Sequence, residues 1–164
     1  MRKALALCLI LAAGALSGCG LTPLYGTPGV VSNLASIDVV APEGRTGYLI
    51  RQHLDDAFAK NHGVTPAWRM NLQLNEARYP RGVRIDNVAT RYEYVLTANY
   101  ALVSTASGVA EKAGSVRVEL TYDSADQPYA SIAAQQDAQD RAAEEAARRI
   151  QLELAAWLAD RAKS

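Results

Sequence analysis

Three stretches of strict two-residue alternation constrain this chain more than any other feature. Trp68, Met70, Leu72 and Leu74 alternate with Arg69, Asn71, Gln73 and Asn75. A second run places Tyr92, Tyr94, Leu96, Ala98, Tyr100 and Leu102 on one side. A third gives Val116, Val118, Leu120 and Tyr122 between Arg117, Glu119, Thr121 and Asp123. Side chains on a strand point alternately to opposite faces, so this pattern predicts a sheet with one buried face and one wet face. The wet side is polar except at Val95, Ala101 and Val103. Turn-forming residues around Pro80, Arg81 and Gly82, and at Ser107 and Gly108, predict antiparallel hairpins.

Two helices complete the domain. Ile50, Leu54, Ala57 and Phe58 recur at helical spacing, predicting a helix from Arg45 or Thr46 to about Lys60, with Gly63 available as a left-handed stop. From about Tyr129 to Arg161 the chain has no Gly or Pro and is rich in helix formers, with Pro128 suited to its first turn. Its apolar stripe is strongest from Ala143 to Leu158, which predicts a loosely packed first half. A helix of that length reaches about 50 Å, longer than a small sheet requires. A short strand over Leu34 to Val40 precedes the first helix. The order is β-α-β-β-β-α. A right-handed crossover makes the first two strands parallel. The predicted fold is an α/β two-layer sandwich, a four-stranded mixed sheet with two helices on one face.

The N-terminus reads as a removable leader. Arg2 and Lys3 precede an apolar run from Ala4 to Ala15, too short for a bilayer and the right length for a signal-peptide core. Leu16, Ser17, Gly18 and Cys19 then form a lipobox like that of bacterial lipoproteins, in which the cysteine thiolate accepts the diacylglyceryl group. The expected division is a signal peptide over 1–18, a lipidated tether over 19–33 and one α/β domain over 34–162. Cys8 leaves with the leader and Cys19 is consumed by acylation, so no thiol remains for a disulfide or a cysteine metal site. Gly20 stands where inner-membrane retention would place Asp, which points to the outer membrane by analogy with other bacterial lipoproteins.

The chemical inventory is thin. His53 and His62 lack metal-ligand spacing, and both read as ordinary helix residues. There is no nucleophile elbow, phosphate loop or dinucleotide fingerprint. The acidic pairs Asp55–Asp56 and Glu144–Glu145 read as solvated helix faces. No catalytic residue, metal site or cofactor is nominated. Seventeen basic side chains balance seventeen acidic ones, which argues against nucleic-acid binding through bulk charge. One local asymmetry stands out. Residues 69–91 hold five arginines against Glu76 and Asp86. Arg78, Arg81, Arg84 and Arg91 crowd a predicted hairpin. Guanidinium groups suit phosphates, so these four are the candidate contacts to an anionic lipid or lipopolysaccharide. A solvated loop whose charges discourage edge pairing explains them equally.

Several short segments resemble a known family. The stretch Cys19-Gly20-Leu21-Thr22-Pro23-Leu24-Tyr25-Gly26 is similar to the mature start of the lipopolysaccharide-assembly lipoproteins, the LptE (RlpB) family, especially its alphaproteobacterial branch. Thr46 to Arg51, Thr90-Arg91, Tyr100, Thr121-Tyr122-Asp123, Tyr129-Ala130, Asp137-Ala138 and Arg141 extend the resemblance over most of residues 19–160. The resemblance implies a non-enzymatic α/β lipoprotein of the outer membrane, anchored from the periplasmic side. It also implies that the domain plugs an LptD-type β-barrel, assists its assembly and helps deliver lipopolysaccharide to the surface. The alternative is a periplasm-facing lipid-binding or transport-accessory lipoprotein, which requires an apolar pocket between sheet and helices.

Overall fold

The computed structural model describes residues 28–61, 63–83, 85, 89–124 and 127–163. Its elements are α1 (Val30–Ala35), β1 (Ile37–Val40), α2 (Arg45–Ala57), β2 (Trp68–Val83), β3 (Ala89–Ser104), β4 (Ala110–Asp123) and α3 (Pro128–Arg161). The sheet order is β1-β2-β3-β4, with β1 parallel to β2 and the remaining pairs antiparallel. This is the mixed sheet and layer arrangement that the alternation predicts.

Burial follows the period-two pattern. Met70, Leu96, Ala98 and Leu102 on the sheet are fully buried against Ile50 and Leu54 of α2 and Ile150 and Leu154 of α3. Fully burying one such side chain contributes roughly 1.5–3 kcal/mol. The opposite face is open, and Arg69, Asn71, Gln73, Asn75 and Asn99 are exposed there. Val95 is the buried exception.

Four local readings differ from the structure. Leu34 belongs to a helix and not to the first strand. Val30 and Leu34, four residues apart, lie on one side of α1, and both are buried. That short helix also occupies part of the expected tether. The first strand is consequently only Ile37–Val40. Next, α2 stops at Ala57, and Ala59 takes the left-handed conformation (φ 50°) expected of Gly63. Finally, Pro80, Arg81 and Gly82 lie within β2, where Pro80 pairs with Tyr92 and Arg81 with Arg91. The hairpin turn falls between Val83 and Ala89. Proline is tolerated there because β1 covers only Trp68–Asn71, leaving the rest of β2 as a sheet edge.

The length of α3 now has a reason. Strands of 14–16 residues and a helix of 34 residues each span on the order of 50 Å. The helix matches the hairpins. Its first ten residues bury no side chain completely, and full burial begins at Ala138.

Two glycines make close approaches that no other residue permits. A Cβ on Gly47 would lie 1.9 Å from the Pro42 carbonyl oxygen. A Cβ on Gly114 would lie 2.5 Å from Tyr100 Cζ and Oη. Gly114 faces Tyr100 across the β3–β4 ladder, and the ring lies over it. The Tyr100 hydroxyl then donates to Glu153 Oε2 at 2.6 Å, tying the sheet to α3. Burial first, and the Glu153 carboxylate second, push that phenol above its ordinary range.

Candidate functional site

The candidate arginines come from the far ends of β2 and β3, and alternation sorts them onto different faces. Arg81 and Arg91 face each other in register on the open side. Arg81 Nε donates to Glu93 at 2.9 Å, and Arg91 Nε donates to Asp123 at 2.8 Å. The Asp123 hydrogen bond holds the Arg91 guanidinium above its usual range. Arg78 has the opposite parity and turns to the helix side. Its guanidinium lies 4.7 Å from the Tyr92 ring centroid and donates to Gln135 of α3 at 2.8 Å. Tyr92 in turn stacks on Tyr122 at 5.6 Å. Arg84 lies outside the described residues, as do Cys19 and His62.

The structure therefore brings two of the four arginines together, turns one into helix packing and leaves the fourth undescribed. Arg81 and Arg91 are both more than half exposed. Exposed ion pairs contribute only about 0–1 kcal/mol, so Arg91, whose partner Asp123 is also exposed, can trade its carboxylate for a phosphate at little cost, whereas the Glu93 partner of Arg81 is mostly buried. Tyr79 on the same face and Ile85 in the hairpin turn are exposed apolar neighbours at this end.

Other titratable groups serve packing. His53 Nε2 lies 2.8 Å from Asp140 Oδ1 and joins α2 to α3. Asp55 is not simply solvated; it is half-buried with Lys60 Nζ at 3.4 Å. Glu145 accepts hydrogen bonds from Arg148 and Arg149, which lower its carboxyl to about 2. Among the described residues no group of three or more His, Cys, Asp or Glu is placed to hold a metal ion.

Arg69 is counted in the local arginine excess but is not among the four candidate contacts. Arg69 sits on the open face near the opposite end of the sheet, and its side chain makes no hydrogen bond or ion pair with a described residue. The available signal was its odd parity in β2, together with distance in sequence from the other arginines.

The LptE family model, described as lipopolysaccharide-assembly, matches residues 34–154. This chain belongs to the LptE family. A lipoprotein of known structure from Caulobacter crescentus is 54% identical to this LptE-family chain. The alignment covers 81% of this chain and 97% of that one, with a TM-score of 0.71. Rare lipoprotein B from Shewanella oneidensis shares the fold at 12% identity, with a TM-score of 0.58 over 76% of this chain and 95% of that one. Lipoprotein B from Nitrosomonas europaea does so at 14% identity, with a TM-score of 0.55 over 74% and 83%. No curated protein matches the sequence. As an LptE-family member the protein belongs to a family of lipopolysaccharide assembly.

Proposed function

We propose that the protein is anchored to the outer membrane through acylated Cys19 and seats its domain inside an LptD-type β-barrel. There it assists assembly of the barrel and takes part in moving lipopolysaccharide to the cell surface. Its role is to bind and position, not to catalyse. One observation carries this reading beyond family membership: the sheet keeps its hydrophobic core, Val95 apart, on the helix side and presents a broad polar face to the outside. The lumen of an outer-membrane barrel is polar, and such a face suits it. Arg81 and Arg91 are the best-placed phosphate contacts of the original four. Arg84 lies outside the described residues, and Arg78 contributes by fixing the end of β2 to α3.

The competing lipid-carrier reading requires room between the layers. Met70, Leu96, Leu102, Ile50, Leu54, Ile150 and Leu154 fill that space with no exposed surface.

Affinity purification of the acylated protein in mild detergent tests the proposal. A much larger barrel protein should accompany it; recovery as a clean monomer would overturn the plug. Replacing Arg81→Glu together with Arg84→Glu should weaken capture of lipopolysaccharide in a pull-down while the fold persists. Unchanged capture would remove the arginine assignment. Cys19→Ala should abolish outer-membrane fractionation.

A further inference from the structure

The cations at the two ends of the open face are held differently. Arg81 and Arg91 have carboxylate partners, whereas Arg69 has none among the described residues. Two surface clefts converge on Arg69. One of about 320 Å³ joins it to Asn71 and Val103, and one of about 340 Å³ joins it to Thr65 and Pro66; Thr105 lines both. The carboxylate of the second cleft, Asp38, is occupied by Lys60 Nζ at 3.0 Å. Among the described residues Arg69, which lies across the ladder from Asp38, makes no hydrogen bond or ion pair.

Two adjoining loops frame the site. Thr105 Oγ1 donates to the Pro66 carbonyl at 2.8 Å, and the Ala67 amide donates to the Ser36 carbonyl at 3.0 Å. These bonds join the segment after α2 and the β3–β4 turn to the junction of α1 and β1. Each loop carries an exposed valine, Val64 at 49% and Val109 at 61%. Scattered exposed valines mean little. Here they stand on neighbouring loops, beside Arg69 and next to the junction of α1 and β1.

That position matters because of the anchor. Nine peptide links separate Cys19 from Pro28, so covalent geometry limits their separation to about 30 Å. An acylated Cys19 would keep this end of the domain close to its leaflet. The link adds a local concentration on the order of millimolar to contacts that also operate in the free domain.

We propose that this end of the domain is a membrane-docking surface. Val64 and Val109 enter the interfacial layer of the leaflet that holds Cys19, and Arg69 takes the phosphate of an anionic phospholipid. Guanidinium geometry favours such a bidentate contact, and apolar burial combined with cationic attraction is how peripheral surfaces hold membranes. The inference rests on the Cys19 anchor of the proposed function and is independent of the barrel.

The test uses the mature chain carrying Cys19→Ala, so that no acyl chain masks the surface. It is sedimented with vesicles of phosphatidylcholine alone and with vesicles that also contain phosphatidylglycerol. The parent should bind the anionic vesicles preferentially. Val64→Asp with Val109→Asp should lower partitioning about tenfold. Arg69→Gln should remove the preference for phosphatidylglycerol, and Ile85→Asp, at the opposite end, should change nothing. Circular dichroism establishes that each variant is folded. The proposal is overturned if the parent ignores vesicles, if the valine pair is dispensable, or if Ile85→Asp is the variant that loses binding. A parent that ignores vesicles while the acylated protein still brings down a barrel rejects docking and leaves the plug intact. Binding to vesicles without any barrel does the reverse.

Discussion

The two ends of the sheet are built on different principles. At the end where β1 lies beside β2, all layers are present, and Ile37, Ile50, Leu54, Met70, Leu102 and Leu154 are buried almost completely. Trp68 meets Trp157 edge-on at 6.2 Å and donates to Glu111, which also bonds Arg161. At the far end β2, β3 and β4 run beyond β1, and only the first turns of α3 accompany them. Polar contacts do the joining there: Arg78 to Gln135, Tyr94 to Glu76 and Ser124 to Ser131. Exposed Ile85, Tyr129 and Ile132 belong to this end as well. Apolar packing concentrates stability at one end, and the other is left polar and accessible for contact with other molecules.

Mutations can break this contrast. Leu54→Ala, in the packed end, should cost roughly 2–5 kcal/mol of unfolding free energy by denaturant titration. Tyr79→Ala, exposed at the far end, should stay within about 0.5 kcal/mol. Equal losses would mean that the two ends share the core. Gly114→Ala comes next. Its methyl group must displace a buried ring that is hydrogen-bonded to Glu153, so a loss of about 1–3 kcal/mol is expected. Removing Glu153 first should shrink that loss, because the ring is then freer to move. Arg91→Ala should cost less than about 1 kcal/mol, since its pair with Asp123 is exposed. A double-mutant cycle with Asp123→Ala measures the coupling directly.

The smallest effect is a dependence on pH. Hydrogen bonds from Arg148 and then Arg149 hold Glu145 at about 2, below the ordinary carboxylate value of 4.5. Folding thus favours the ionised carboxyl. The stabilisation is complete above the ordinary carboxylate pKa and disappears as pH falls from about 4.5 toward 2. Glu145→Gln should lower Tm slightly at neutral pH, and the difference from the parent should vanish near pH 2. A difference that grows on acidification would contradict the assignment.

The sequence revealed the architecture where the pattern was long. Runs such as Tyr92 to Leu102 put their large apolar side chains on one face, with Val95 the buried exception on the other, and only one sheet orientation satisfies them. It failed where few residues carried the signal. Leu34 sits in an apolar stretch too short to separate helix from strand, and its pairing with Val30 settled the matter. Pro80 and Gly82 looked like a turn because turn chemistry is local. Whether a neighbouring strand needs the amide that proline lacks is not local, and β1 ends too early to need it. The same limit split the arginines. Parity within β2 separates Arg78 from Arg81, but a presumed loop at that point concealed the parity.

By itself the sequence determined which side of each long strand is greasy and the order of the long strands and helices, because these are written in neighbouring residues. Tertiary structure alone decided that Arg81 and Arg91 share a face and have carboxylate partners, that Arg69 has none among the described residues, and that Gly114 makes room for Tyr100. Those outcomes depend on strand register and on side chains far apart along the chain, and no local pattern encodes which distant group will arrive opposite.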